Sequence, residues 1–398
     1  MSPAPAPLQA RFGPIGHMTT QDGPAAGSGA GAGDDPPSLY WSEVSTTSAA
    51  SKNGASNANA ERGRTIRIMG SFSEDYTLGN EVMPSTHSYM KVMFATRKSD
   101  KQEVVVKVRN KPQCFRSREE ERSWRHNTEF LLNLPETCGV ARLYDVIEDA
   151  KAFYVVMEKV SGMDLFETFE KGRVDINQAK DILRQLLVSL VHLHARNAVH
   201  KDLKLENVML DRAATDAPPA ESLVSEEVGR VGSVKIIDFD TLEEWTPGAP
   251  ASKDVLGTDQ YIAQEAYAGR YSPLSDVFAT GVIVYRLLSG RFPFHDGLFD
   301  DEPGENWVGC PKMAQIRRRL KIAKVDFSQP CFQQNPEALD LLKRMLAYNA
   351  WERPSAMVAL EHPWLRGPSA GEVDGVFEFG IAREADEALI DDGVIIAE

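Results

Sequence analysis

Two short stretches in the middle of the chain carry polar side chains at the edges of apolar runs. The first, AVHKDLKLENVML at 198–210, places Asp202, Lys204 and Asn207 within six residues of one another. The second, SVKIIDFD, has the pattern of a buried strand that ends at Asp238. An isolated carboxylate is costly to bury, so this aspartate must be paired or bind a cation. Together with the asparagine it would supply the oxygen ligands that Mg²⁺ prefers, which requires both stretches to meet in one site.

The first stretch has the side chains that phosphoryl transfer requires. A carboxylate can orient the attacking hydroxyl and accept its proton, a lysine can offset charge on the moving γ-phosphate, and an amide oxygen can ligate Mg²⁺. Taken alone, the pattern is equally compatible with a polar turn between a helix and a strand. The second stretch favours the phosphoryl-transfer interpretation.

The order of hydrophobic patterns along the chain predicts an α+β molecule in two lobes. VMFATRKSDKQEVVVKV at 92–108 is typical of a β-hairpin, and AFYVVMEKV at 152–160 is typical of a buried strand. Apolar residues recur at helical spacing in 120–134 and 176–197, and helical patterns dominate after residue 275. Strands therefore come first and helices follow.

Three segments have compositions that do not support a packed core. Ala, Gly, Ser and Pro dominate the N-terminal region, and we predict that residues 1–66 are disordered. Residues 212–232 are predicted to be a polar insertion between two strands, and 367–398 an acidic, mobile tail. The folded domain is then expected over 67–366.

The composition argues against several classes of protein. The formal net charge of −14 is unsuited to a broad basic surface for nucleic acid. No apolar run is long enough to cross a membrane, and no secretory signal is visible. The four cysteines lie far apart, without a disulfide or metal-site spacing, which favours a reducing compartment. We therefore expect a soluble, cytoplasmic protein with no nucleic-acid or membrane partner.

Further motifs follow in a recognisable order. They are VVVK ending at Lys107, VLGTDQYIAQE at 255–265 and NAWERPSAMVALEHPWL at 349–365. With the two stretches above, the chain resembles the eukaryotic protein kinases of the serine/threonine type, closest to the calcium/calmodulin-dependent branch. The resemblance covers roughly residues 72–366 and is specific, because about ten motifs keep their order and spacing.

This resemblance implies a fold and an activity. The fold is the two-lobed protein kinase fold, with a small β-rich N-lobe at 67–158 that carries one main helix and a larger helical C-lobe at 161–366. The activity is transfer of the γ-phosphoryl group of ATP, with Mg²⁺ as cofactor, to a serine or threonine hydroxyl of a protein substrate. The alternative is a pseudokinase scaffold that binds nucleotide weakly or not at all. A monomer is expected, and calmodulin control is not, because the tail is acidic rather than basic and amphipathic.

The resemblance also implies roles for single residues. Asp202 would be the catalytic base and Lys204 the charge-balancing lysine, while Asn207 and Asp238 would ligate magnesium.

Lys107 would bind the α- and β-phosphates, with Glu129 on the following helix as its ion-pair partner. Met157 would be the gatekeeper, followed by the hinge that meets the adenine edge. The positions implied to contact the nucleotide are Ser85, Val92, Val105, Lys107, Met157, Glu158, Val160, Asp164 and Met209.

The loop that would cover the phosphates departs from the family pattern. Its sequence is STHSYMKV at 85–92, with Ser85, His87 and Met90 where the family has glycines. Glycine allows backbone amides to approach phosphates closely, so bulkier residues are expected to weaken or reshape the nucleotide contact. This departure is the main support for the pseudokinase alternative.

Asp240 replaces the glycine of the D-F-G motif. Aspartate adopts left-handed conformations less freely than glycine, so the motif is expected to stay in its inward state. The Asp240 carboxylate is expected either to point to solvent or to lie near the metal.

Lys201 replaces the arginine that usually receives an activation-loop phosphate, and Asp254 stands near the usual phosphorylation position. We expect the two to face each other as a permanent, weaker version of that switch. Arg286 occupies a helix position that often carries an acid in kinases of basic substrates, which argues against a preference for arginine-rich substrates.

Overall fold

The structure, a computed structural model, describes residues 63–83, 89–111, 114–137, 139–172, 174–211 and 232–366. The predicted N-terminal segment up to residue 62, the insertion apart from Gly232, the acidic tail and Ser85 lie outside these residues.

The N-terminal lobe is built on one six-stranded sheet with the order β1-β5-β6-β4-β3-β2. All neighbouring pairs are antiparallel except β1 with β5. The predicted hairpin is confirmed as β3 and β4, with Val92 opposite Lys107. The strands are β1 Arg67–Ile68, β2 Tyr76–Met83, β3 Met90–Arg97, β4 Glu103–Asn110, β5 Leu143–Glu148 and β6 Ala152–Glu158.

Helix α1, Arg118–Leu132, packs against this sheet. Ser117 caps its N-terminus, because the serine side chain accepts a hydrogen bond from the helix backbone. The negative charges of three glutamates in the first turn interact favourably with the positive end of the helix dipole. Its buried residues are Thr128 and Leu132. Leu132 packs against Leu143, so the inner face of the helix meets the sheet.

The folded region begins slightly earlier than the composition indicates. Residues 63–66, which were assigned to the disordered segment, lie against helix α1. Ile66 is 9% exposed and packs in the same cluster as Leu132. The Arg64 guanidinium donates to the Leu132 carbonyl at 3.1 Å. Ile66 and Arg64 hold this stretch against the helix. Two residues are too few to change the composition of the segment, so composition does not predict their contacts.

The C-terminal lobe is helical, as predicted. Helix α3 is amphipathic and begins with an Asp175 capping box, and α4 is buried along most of its length. The helices are α2 Leu165–Lys171, α3 Ile176–His194, α4 Pro273–Ser289, α5 Pro311–Ile322, α6 Pro330–Gln333, α7 Pro336–Met345, α8 Ala356–Leu360 and α9 Pro363–Arg366. Within the described ranges, none of the helices has the length and apolar content needed to cross a membrane.

Strands within residues 162–244 also form two small sheets. One has the order β10-β9-β7 and the other pairs β11 with β8. They hold the two polar stretches together, since Ile237 N donates to Asn207 O at 2.9 Å. The strands are β7 Gly162–Asp164, β8 Ala198–Val199, β9 Val208–Asp211, β10 Ser233–Ile236 and β11 Glu243–Glu244. The predicted α+β, two-lobed architecture is confirmed.

Candidate active site

Asp202 lies at the centre of a small hydrogen-bonded cluster. Thr258 Oγ1 donates to Asp202 Oδ1 at 2.9 Å, and Lys204 Nζ lies 3.1 Å from Asp202 Oδ2. The lysine also donates to Thr258 Oγ1 at 3.0 Å. These contacts fix the carboxylate, which is suited to accept a proton from a hydroxyl. Thr258 was not among the predicted site residues, although the Gly-Thr pair at 257–258 was the available signal.

The backbone before Asp202 is held in an unusual conformation. Lys201 has φ 70, a left-handed value that a lysine rarely adopts. Asp276, only 1% exposed, accepts hydrogen bonds from the backbone nitrogens of His200 and Lys201, both at 3.0 Å. His194 Nε2 lies 3.0 Å from the same carboxylate. Asp276 therefore braces the loop from helix α4.

Asn207 contacts Asp202, and Asp238 follows Ile237, whose backbone nitrogen donates to Asn207 O. Asn207 Nδ2 donates to the Asp202 carbonyl at 2.8 Å and lies 3.3 Å from Asp202 Oδ2. Asp238 has φ 62, and the following Phe239 is buried against the His200 ring. Among the described residues, the hydrogen bonds of these two side chains use Asn207 Nδ2 and Asp238 Oδ1. The remaining amide and carboxylate oxygens fit a hard cation such as Mg²⁺.

Lys107 is buried and paired with two carboxylates. Its Nζ lies 2.5 Å from Asp238 Oδ1 and 3.1 Å from Asp240 Oδ2, and the residue is 6% exposed. Burial alone would lower the pKa of Lys107, but Asp238 and Asp240 raise it, so the side chain stays charged.

The predicted pairing of Lys107 with Glu129 is wrong. Glu129 Oε1 instead accepts a hydrogen bond from Ile66 N at 3.1 Å. The reason lies in helix geometry, because successive residues are rotated by about 100°. Thr128 is the buried polar residue on the inner face of α1, and Glu129 is turned away toward the N-terminal stretch.

Asp240 does not simply point to solvent. Its Oδ2 lies 3.1 Å from Lys107 Nζ and 3.2 Å from an Arg109 guanidinium nitrogen, with the Asp240 side chain 30% exposed. Burial would raise the pKa of this carboxyl, but Lys107 and then Arg109 outweigh it and hold the pKa well below its usual range. Asp240 is thus an ionised partner of the lysine, a contact that the sequence pattern does not reveal.

The strand residues implied to contact a nucleotide share one face of the sheet. Val92 lies opposite Lys107, and Val105 lies opposite Met157. Because alternate residues of a strand point to the same side, Val105 and Lys107 face the same way. The structure therefore places these four side chains together.

The hinge and the neighbouring small sheet complete this region. The Glu158 carboxylate accepts from Arg142 N at 3.0 Å and forms an ion pair with Lys235. Val160 is buried in the core of the C-terminal lobe. Asp164 caps helix α2, and Met209 lies opposite it in the β7–β9 ladder.

Lys201 is not paired with Asp254, contrary to the expectation. Its ammonium contacts the carboxylate of Glu243 and lies 4.8 Å from the centre of the Tyr271 ring. The physical reason is the β8–β11 pairing, which places Glu243 opposite Val199, two residues before the lysine. Asp254 instead forms a backbone bridge with Trp307.

A pH-dependent effect is expected at Asp259, which follows Thr258. Burial and then the nearby Asp301 raise the pKa of Asp259 from 3.8 to about 6. Between these values the native state binds more protons than the unfolded state, so stability falls as the pH rises from 4 to 6. We predict that Asp259→Asn increases the free energy of unfolding at pH 7.5 by about 3 kcal/mol and that the gain disappears near pH 4.

Urea unfolding of both proteins across this pH range measures the effect. The exposed Glu170→Gln is a control for loss of one negative charge. A gain in Asp259→Asn that is equal at pH 4 and pH 7.5 would contradict the explanation.

Comparison with known proteins identifies a family. Residues 87–365 match the family model described as protein kinase domain. Calcium-dependent protein kinase 4 of Plasmodium berghei is 31% identical over 281 residues, which are 70% of this chain and 47% of that protein. Calcium-dependent protein kinase SK5 of Glycine max is 32% identical over 244 residues, covering 61% and 42% of the two chains. Calcium/calmodulin-dependent protein kinase type IV of Mus musculus is 30% identical over 238 residues, covering 59% and 45%.

This chain therefore spans about half the length of the curated relatives that it matches, or somewhat less. The matched region contains the cluster around Asp202, the ion pairs of Lys107 and the bracing Asp276. The family model covers more than half of the chain, and the relatives are named as calcium-dependent or calcium/calmodulin-dependent protein kinases. The chain belongs to the protein kinase family, in its serine/threonine class.

Proposed function

We propose that this chain is an active serine/threonine protein kinase that transfers the γ-phosphoryl group of Mg-ATP to a hydroxyl of a protein substrate. The observation that carries the proposal is the cluster in which Asp202 is held by Lys204, Thr258 and Asn207 at 2.9 to 3.3 Å. The backbone bond from Ile237 to Asn207 joins this cluster to the strand end at Asp238.

Each side chain of the cluster has a role that its contacts support. Asp202 orients the attacking hydroxyl and accepts its proton, and Lys204 offsets negative charge on the transferred group. Asn207 and Asp238 would hold Mg²⁺, which supplies positive charge to the β- and γ-phosphates. Lys107, held by its two carboxylates, faces the same cleft and would bind the phosphates.

The nucleotide would lie against the sheet face described above. Val92, Val105, Met157 and Met209 would offer apolar contact for a base, and Asp164 would contact the ribose. The backbone at Glu158 and Val160 would meet the adenine edge. Ser85 is included in this proposal from the sequence alone.

Other parts of the proposal also depend on the sequence. They are the C-terminal limit of the folded domain at residue 366, a monomeric state, and the absence of calmodulin, nucleic acid and membrane partners. The substrates are proteins that expose serine or threonine.

The competing hypothesis is a pseudokinase scaffold. It is favoured by the residues that replace glycine in 85–92, since side chains there would keep the backbone away from the phosphates. The proposal of an active kinase is favoured by the complete set of Lys107, Asp202, Asn207 and Asp238. Nucleotide binding and phosphate transfer therefore have to be measured separately.

Metal-dependent nucleotide binding gives a direct test. We predict that ATP with Mg²⁺ at about 100 times its dissociation constant stabilises the protein by about 2.7 kcal/mol. ATP without Mg²⁺ should stabilise it less, because the triphosphate charge then faces Asp238 uncompensated. Asp238→Asn should remove most of the difference between the two conditions in a thermal-shift titration.

Glu337→Gln, which changes an exposed residue on helix α7, is the matched control and should behave as the wild type. A wild-type response that is the same with and without Mg²⁺ would contradict the assignment of Asp238. No response to ATP in either condition would favour the scaffold.

A further inference from the structure

We propose that Asp240 is a positioning residue that holds Lys107 in place of a carboxylate from helix α1. Through Arg109, Asp240 also ties the lysine to that helix. The inference rests on the proposed function only in assigning Lys107 to the nucleotide phosphates.

Helix α1 supplies no carboxylate to the lysine within the described residues. Its buried inner face carries Thr128, which is neutral. Glu129 Oε1 accepts a hydrogen bond from Ile66 N at 3.1 Å. Glu121, about two turns nearer the start of the helix, pairs with Arg125 at 2.8 Å. The link that a helix glutamate would provide between α1 and the lysine is therefore absent here.

Lys107 is buried, and one of its two negative partners is also a proposed metal ligand. A buried ammonium is costly unless it is paired, and the Lys107 side chain is 8% exposed. Asp238 is one partner, but it is also a proposed metal ligand, so its charge would be shared with a cation. Asp240 Oδ2, at 3.1 Å, gives the lysine a second carboxylate that does not depend on the metal.

The backbone places the two carboxylates as a pair. Asp240 N lies 3.3 Å from Asp238 Oδ1, the oxygen that also contacts Lys107. A glycine at position 240 would keep this backbone contact but would remove the second charge. The replacement of glycine by aspartate at this position therefore adds a charge that acts on Lys107.

Arg109 connects this pair to helix α1. It lies two residues after Lys107 in β4, on the same face of the strand, and its guanidinium is 3.2 Å from Asp240 Oδ2. The guanidinium also lies 5.6 Å from the ring centre of Trp124, a residue of α1. Asp240 thus joins three elements: the segment after β10, strand β4 and helix α1.

The test compares Asp240→Asn with the wild type in the absence of nucleotide. Lys107 is labelled with trinitrobenzenesulfonate, and the rate at that residue is followed by peptide mass spectrometry. We expect about a tenfold faster labelling in Asp240→Asn, because a charge-assisted contact to a buried group is lost. Asp254→Asn, in the activation segment, is the matched control and should label as the wild type does.

A further variant guards against general damage. Asp240→Glu keeps the carboxylate and should restore slow labelling. The KM for ATP should follow the labelling rate, rising in Asp240→Asn and falling again in Asp240→Glu.

Unchanged Lys107 labelling in Asp240→Asn would overturn the inference. Faster labelling that Asp240→Glu fails to reverse would overturn it as well. The labelling measurements are independent of phosphate transfer. Faster labelling of Asp240→Asn in a protein without kinase activity would therefore support the positioning role and refute the proposed function. Unchanged labelling in an active kinase would refute the positioning role and support the proposed function.

Discussion

Replacing Asp202 with asparagine is expected to lower kcat for phosphate transfer by about 10²- to 10⁴-fold. Asparagine keeps the size of the side chain but cannot accept the proton of the attacking hydroxyl. It also loses the ionic part of the 3.1 Å contact with Lys204. The affinity for Mg-ATP should stay close to that of the wild type, because Asn207, Asp238 and Lys107 are unchanged.

The measurement combines transfer of labelled γ-phosphate with the thermal-shift response to Mg-ATP. Glu170→Gln, an exposed change outside the site, should retain wild-type kcat. Equal transfer by the wild type and Asp202→Asn would mean that the activity is a contaminant or that another group is the base. Loss of both transfer and nucleotide binding would point to damage of the cleft instead.

The second large effect is expected from the buried ion pair of Arg353 and Glu265. Two guanidinium nitrogens of Arg353 lie 2.7 and 3.0 Å from the two Glu265 oxygens, and Arg353 is 1% exposed. Ser275 donates to the same carboxylate at 2.9 Å. The pair fastens the segment after Thr258 to the C-terminal lobe.

Arg353→Met should reduce the free energy of unfolding by about 3–5 kcal/mol, because it leaves the Glu265 charge buried without its partner. The double variant Arg353→Met with Glu265→Gln should be less destabilised than the single variant, since the uncompensated charge is gone. Urea unfolding measures both.

A loss below about 1 kcal/mol in Arg353→Met would contradict this explanation, because that is the size expected for an exposed pair. Arg344→Met, which removes an exposed pair with Asp340 on helix α7, is the matched control and should show the smaller loss.

The sequence was most informative where spacing along the chain determines the geometry. Asp202, Lys204 and Asn207 lie in one short loop, so their order alone brings them together. The strand ending at Asp238 was predictable from its apolar run and from the cost of burying its charge. The hairpin around Lys107 followed from local alternation in the same way.

The errors arose where a small local rotation decides a distant contact. Glu129 differs from the inward-facing Thr128 by one residue, and a hydrophobic pattern does not fix a helix rotation to that accuracy. Lys201 was assigned to Asp254, but the β8–β11 pairing brings Glu243 to it. Asp240 is visible in the sequence as a replacement of glycine. Its contact with Arg109 depends on how strand β4 and the segment after β10 lie in the fold.

Some features of the fold were also outside the reach of the sequence. The parallel pairing of β1 with β5 joins Arg67 to Ile147, and nothing in the local sequence of either strand specifies that partner. The packing of Ile66 against helix α1 is a contact of the same long-range kind.

The most direct test of the central claim is transfer by the purified wild-type chain itself. The chain is incubated with γ-labelled ATP, Mg²⁺ and a mixture of serine, threonine and tyrosine peptides, and the labelled residues are identified by mass spectrometry. The cleft of Lys107, Asp202, Asn207 and Asp238 predicts Mg²⁺-dependent label on serine and threonine, above the level given by Asp202→Asn. ATP binding with no label above that level would contradict the proposed activity.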